Sequence, residues 1–209
     1  MSISRQNLSI VIVTLKSEEV INQCLNSIDK EIPIFVVENS SNLEFKENLE
    51  ANYQNVTCVL TNENLGMGRG NNFGINLVKT EYALILNPDV VLQPNTIDEL
   101  ILASKSNSSF SILSPISDNS SYPNYKLMDN DKFKKNENFP FLVKSVDGYA
   151  MLFNLNKINI ILRNEIDNKK NNYFDENFFM YLENDDLCKR IIDKKEKIFI
   201  VPKAKIHHL

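Results

Sequence analysis

The sequence predicts an α/β protein: a mostly parallel sheet flanked by helices, with a less regular second half. Three observations predict it. Over the first 114 residues, strand-length apolar runs alternate with helical patterns. The run Tyr82 to Leu86 is apolar throughout and stops at Asn87-Pro88-Asp89, as expected of a strand buried on both faces and closed by a proline that cannot join a ladder. From residue 115 to 144 the chain is rich in Ser, Asn, Pro and Lys and loses periodicity, which reads as a long irregular excursion.

Leu8 to Val13 reads as the first strand. Ser17 suits a helix N-cap, followed by acids at Glu18 and Glu19 and an apolar face of Val20, Ile21, Cys24, Leu25 and Ile28. Ile32 to Val37 is the second strand, entered through Pro33, and Glu38 to Asn42 is a turn. A polar helix over Leu43 to Asn52 and a strand over Val56 to Leu60 follow. Asn64 to Asn72 reads as a glycine-rich loop feeding a helix that runs through Leu77. After the Tyr82 strand, Asn95 or Thr96 opens a helix containing Ile97, Leu100 and Ile101, and Phe110 to Leu113 is a strand. Order resumes with a strand over Val146 to Phe153, a helix over Asp185 to Asp193 and a last strand over Ile198 to Val201. No linker separates the halves, so 1–209 is expected to be one domain with parts 1–114 and 115–209.

At 209 residues, 43% hydrophobic and 24% charged, the chain has ordinary globular composition and can bury a core without staples. Its net charge of −4 carries no basic signature of a nucleic-acid binder. Cys24, Cys58 and Cys188 share no metal spacing and read as small buried hydrophobes in a reducing compartment. No apolar run approaches membrane-spanning length and no signal peptide is evident.

Four features carry chemistry. Asp89 falls just past the carboxyl end of a central strand, where ligands bind in open α/β sheets; a carboxylate there takes a cation or stays solvated. Four of the five glycines lie between Gly66 and Gly74, in a strand-to-helix position that lets backbone approach a phosphate, with Arg69 as an anion clamp. The spacing matches neither the dinucleotide fingerprint nor the P-loop, so a flexible connector is the alternative. Glu183-Asn184-Asp185-Asp186 makes a good helix start, with Asn184 as cap. Glu183 also follows Phe178 to Leu182, an apolar stretch expected to be buried, which would raise its pKa and suit a general base. His207 and His208 are the only histidines; on a strand they point to opposite faces, so one at most enters a given site, and a frayed end or tag remnant is the alternative.

Taken in order, these blocks resemble glycosyltransferase family 2, with the Rossmann-like GT-A fold, in the flavour of bacterial rhamnosyltransferase-like enzymes of surface polysaccharide. Ile10 to Thr14 looks like the family's opening strand. Val37-Glu38-Asn39-Ser40-Ser41 resembles its Val-Asp-Asn-x-Ser turn. Asn64-Leu65-Gly66 through Asn72-Phe73-Gly74-Ile75 is similar to its Asn-x-Gly…Gly-x-Asn-x-Gly-Ile block. Asn87-Pro88-Asp89 sits where the family has Asp-x-Asp. Phe174-Asp175-Glu176 through Glu183-x-x-Asp186-Leu187-Cys188-x-Arg190 looks like the acceptor-side block, and Pro202 to His208 resembles the Pro-x-Ala…His ending.

The resemblance implies a metal-dependent, inverting transfer from a nucleoside-diphosphate sugar to a glycan or lipid-linked glycan acceptor, with no nucleic-acid partner. It assigns Thr14, Glu38, Asn39, Gly66, Arg69, Asn72, Asn87, Asp89 and Asp147 to the donor. Asp89 and His208 would hold Mg²⁺ or Mn²⁺. Glu183 is the expected base, with Asp186 in reserve. Three positions depart from the pattern: Leu15 where an aromatic is common, Glu38 for Asp, and Asn184 where many members carry their base. Asn184 and the short tail after His208 keep a catalytically impaired nucleotide-sugar-binding subunit as the alternative. A nucleotidyltransferase ranks lower, because Leu15-Lys16-Ser17 lacks the glycine-rich loop that it needs after the first strand. The expected location is the cytoplasm, at the inner face of the plasma membrane. Lys132, Lys134, Lys135, Lys194, Lys195 and Lys197 read as solvated charge or as peripheral membrane contacts. A homodimer is left open.

Overall fold

A computed structural model describes residues 3–119, 122–128, 135–162 and 172–209. The strands are β1 (Leu8–Thr14), β2 (Ile34–Glu38), β3 (Val56–Leu60), β4 (Tyr82–Leu86), β5 (Val90–Leu92), β6 (Phe110–Ser117), β7 (Tyr125–Leu127), β8 (Phe141–Val146), β9 (Ala150–Asn154) and β10 (Lys197–His208). The helices are α1 (Ile21–Asn26), α2 (Leu43–Asn52), α3 (Gly66–Leu77), α4 (Thr96–Ser106), α5 (Leu155–Leu162) and α6 (Glu183–Asp193). One sheet runs β3-β2-β1-β4-β9-β6-β10-β8-β7, with β5 added against β10. The pairs β3-β2, β2-β1 and β1-β4 are parallel, so Thr14, Glu38 and Asn87 emerge at one carboxyl edge. The chain order reverses between β1 and β4, which creates the crevice where such sheets bind ligands.

The unalternated strands are explained by burial on both faces. Ile10, Ile12, Val36, Leu84 and Leu86 pack in a core with residues of α1, α2 and α4. Val11, Ile85, Ile112 and Phe153 pack on the other side with residues of α3, α5 and α6. All three cysteines are free and buried.

Several expectations are corrected. The first helix begins at Ile21; Ser17 starts a turn in which its carbonyl accepts from the Val20 and Ile21 N–H groups. The glycine-rich segment is helix from Gly66 onward. The excursion holds β7 and β8, and the strand expected over Val146 to Phe153 is two strands joined by a turn at Asp147-Gly148-Tyr149. β5 and α5 escaped prediction, and the tail is strand through His208. Phe179, Met180, Tyr181 and Leu182 are exposed, since Tyr181 and Leu182 take left-handed φ values of 67° and 70° and carry the run over the surface. Lys132 and Lys134 lie outside the described residues.

Candidate active site at the carboxyl edge of the sheet

Parallel pairing sets Thr14 beside Glu38. The Thr14 hydroxyl donates to Glu38 Oε2 at 2.6 Å, and the Ser40 hydroxyl donates to Oε1 at 2.5 Å. Glu38 is only 2% exposed, so these donors offset the desolvation of its charge. The next residue, Asn39, donates its amide to the Gly66 carbonyl at 3.0 Å. Its Oδ1 is buried and accepts no hydrogen bond among the described residues, which leaves an acceptor open at this end of the crevice.

The glycines serve packing. A Cβ on Gly74 would lie 2.4 Å from Val11 Cγ1 and 2.9 Å from Val37 Cγ2, and one on Gly70 would lie 2.9 Å from Val13 Cγ1. Their absence lets α3 sit directly on β1 and β2. Gly66 has φ +73°, its N–H donates to Asn64 Oδ1 and its carbonyl accepts from Asn39. Asn72 grips Phe174 from both sides: its Nδ2 donates to the Phe174 carbonyl at 2.8 Å and its Oδ1 accepts the Phe174 N–H at 2.9 Å. Gly66 and Asn72, expected at the donor, therefore hold protein to protein. Arg69 is exposed and lies 3.9 Å from both Glu63 and Glu176, a weak surface pairing.

The tail reaches the crevice through β5. In the β5-β10 ladder Val90 pairs with His208, and the Asp89 carbonyl accepts the Leu209 N–H at 2.9 Å. His208 Nε2 thereby lies 3.4 Å from Asp89 Oδ1, a buried oxygen that accepts no hydrogen bond among the described residues. His207 points elsewhere and meets Asp118 at 2.9 Å, as strand alternation requires. An oxygen–nitrogen donor pair with an orphaned carboxylate oxygen fits Mg²⁺ or Mn²⁺. No group of three or more His, Cys, Asp or Glu converges among the described residues, so other donors would have to come from a bound ligand and water. Asn87 donates its N–H to the Tyr149 carbonyl at 3.0 Å, and the Tyr149 ring lies against His208 with centroids 4.2 Å apart. Tyr149 has no sequence signal, since nothing local marks an aromatic in that turn as a neighbour of the tail.

Glu183 opens α6 and is 8% exposed. Burial pushes its carboxyl above the usual range; its own backbone N–H opposes that and Asp185 adds to it. Its Oε2 is buried and accepts no hydrogen bond among the described residues, so it is open to a proton. Asn184 does not cap: its Nδ2 donates to the Val146 carbonyl at 2.9 Å, inside the helix. Asp186 is tied to Arg190 Nε at 2.7 Å, and Arg190 also donates to the Tyr173 carbonyl. That engagement leaves Asp186 less suited than Glu183 to accept a proton. Asp147 is half-buried in the turn before β9; burial and then Asp185 push its carboxyl up, while Lys126 and His208 pull it down.

The fold and this edge define an α/β domain with a ligand crevice at the carboxyl ends of its central parallel strands. The family model "Glycosyl transferase family 2" matches residues 9–186, and the chain belongs to that family. The low-salt glycan biosynthesis hexosyltransferase Agl10 of Haloferax volcanii is 34% identical over 113 residues, covering 52% of this chain and 36% of Agl10. Among solved structures, GalNAc-T7 with UDP, GalNAc and Mn²⁺ superposes with a TM-score of 0.75 at 14% identity, over 97% of this chain and 43% of that one. S. aureus TarS 1-349 with UDP-GlcNAc gives a TM-score of 0.66 at 17% identity, over 96% of this chain and 58% of that one. These likenesses show the GT-A fold. The chain spans about a third of the curated relative's length (36%).

Proposed function

We propose that this chain transfers a sugar, of hexosyl type, from a nucleoside-diphosphate sugar to an acceptor hydroxyl with inversion, using a divalent cation. The observation that carries the proposal is the meeting of Asp89 and His208, made by the β5-β10 ladder, on the sheet edge that also presents Glu38. TarS structures hold UDP and UDP-GlcNAc, and the GalNAc-T7 structure holds UDP and Mn²⁺, which supports a uridine donor and Mn²⁺ here.

Each residue has a distinct task. Glu38, fixed by Thr14 and Ser40, accepts the base N–H, and the open Asn39 oxygen offers a second acceptor. Asp89 and His208 would hold the ion, which when bound supplies charge neutralisation at the departing diphosphate. Glu183 Oε2 takes the acceptor hydroxyl's proton; burial pushes its pKa up, the direction that makes a carboxylate a stronger base. Asp147 and Asn87 line the sugar and diphosphate region beside His208. Arg69 assists only by leaving its surface carboxylates.

The reading extends to a glycan or lipid-linked glycan acceptor in surface polysaccharide synthesis on the cytoplasmic face of the plasma membrane. No helix among the described residues is long and apolar enough to cross a membrane. Calorimetry with UDP-sugars in Mn²⁺ and in chelator tests the core of the reading. Binding should require Mn²⁺ and vanish in Asp89→Ala; equal binding in chelator overturns the ion site. Tight donor binding with no transfer and no donor hydrolysis would favour a binding subunit.

A further inference from the structure

We infer that Tyr149 is a positioning residue that holds the His208 imidazole at Asp89. The inference rests on the ion-site reading above. A metal-ligating histidine needs its ring plane fixed by a neighbour. For His208 the neighbour is an aromatic ring: Tyr149 lies with its centroid 4.2 Å from the imidazole and its plane 31° away.

Tyr149 is itself anchored through its backbone. Its carbonyl accepts the Asn87 N–H at 3.0 Å, which ties it to the strand end that carries Asp89. The residue thus links the strand end that leads to Asp89, through its carbonyl, with the imidazole at the end of β10, through its ring. The β6-β10 ladder stops at Ile206 and Ser117, so beyond that point β10 is held by β5, by the His207–Asp118 contact and by this ring against His208. Aromatic contacts of this kind prefer set geometries and so restrict ring rotation.

The test compares the parent with Tyr149→Phe, Tyr149→Leu, His208→Ala and Asp89→Ala. In the ion-free protein, the ring current of Tyr149 should displace the His208 imidazole proton shifts; Tyr149→Phe should keep that displacement and Tyr149→Leu lose it. By calorimetry with Mn²⁺ and UDP, Tyr149→Leu should bind the ion about 10-fold more weakly, the size expected for an outer partner of a ligand. Tyr149→Phe should stay near the parent. Tyr149→Met serves as the non-aromatic variant if Tyr149→Leu does not fold. Parent-like Mn²⁺ affinity in the non-aromatic variant, with His208→Ala weakened, overturns the inference alone. Parent-like affinity in both His208→Ala and Asp89→Ala overturns the ion site, and the inference with it.

Discussion

The Gly66 Cα and the Phe179 carbonyl are in such close contact that a Cβ on Gly66 would stand 2.2 Å from that oxygen. The same carbonyl accepts the Met67 N–H at 2.9 Å. The start of α3 and the loop that leads to Glu183 are therefore joined backbone to backbone. Gly68 extends the contact to the Phe178 carbonyl.

Gly66→Ala should consequently act on turnover more than on donor affinity. The substitution meets both a left-handed φ of +73° and a rigid carbonyl, so the loop must move and Glu183 with it. A misplacement on the order of 1 Å is enough for a loss of about 10²-fold in kcat. Transfer kinetics alongside calorimetric donor binding checks this; a donor Kd that worsens as much as kcat falls would refute it.

Gly74→Ala should destabilise the fold although alanine is the better helix former. Helix propensity favours the change by about 1 kcal/mol. The added methyl meets the stiff side chains of Val11 and Val37, and such overpacking typically costs about 1–3 kcal/mol. Urea unfolding should show a lowered midpoint, and a raised one would mean that α3 can lift off the sheet freely.

Glu183→Gln should abolish transfer while making the protein more heat-stable. The base role is typically worth ~10²–10⁴-fold in rate. Because burial raises the Glu183 pKa in the folded state, the folded protein binds its proton more tightly than the unfolded chain does. Stability is then full below the unfolded-state pKa and falls as pH rises through the folded-state value. At neutral pH the ionised carboxylate is a burden, which glutamine removes, so Tm should rise. In the parent, kcat/KM should climb with pH through a pKa above the ordinary carboxylate range, and this limb should be lost with the variant's activity. A variant that turns over like the parent would remove Glu183 from the mechanism.

Thr14→Val removes the hydroxyl that donates to Glu38 Oε2. A hydrogen bond to a charged, buried group is worth roughly 1.5–3 kcal/mol, so both unfolding free energy and UDP affinity should drop. Intact UDP affinity in a destabilised variant would separate Glu38 from nucleobase recognition.

The first half of the fold was legible because its signals are local. Leu8 to Thr14 and Tyr82 to Leu86 are apolar on both faces, and few structures other than a covered parallel strand have that pattern. Asp89 and Glu183 could be singled out because each carboxylate stands where a hydrophobic run ends; Glu38 stood out only through the family resemblance. The second half depends on tertiary pairing. β5 has three residues and exists because β10 comes to meet it; β7 is equally short. The Phe179 to Leu182 run was misread because hydrophobicity without a period does not say which way side chains face, and two left-handed residues turned it outward. The glycines were legible as a cluster, but their purpose was hidden until Val11, Val13 and Val37 were seen beneath them.

β10 lies in the interior of the sheet, between β6 and β8, although it is the last strand in chain order. Until it arrives, β6 has an open row of backbone donors and acceptors along most of its length, and β8 has another. Such bare edges recruit strands from other molecules. A chain interrupted within β10 is therefore expected to self-associate instead of persisting as a soluble, inactive monomer.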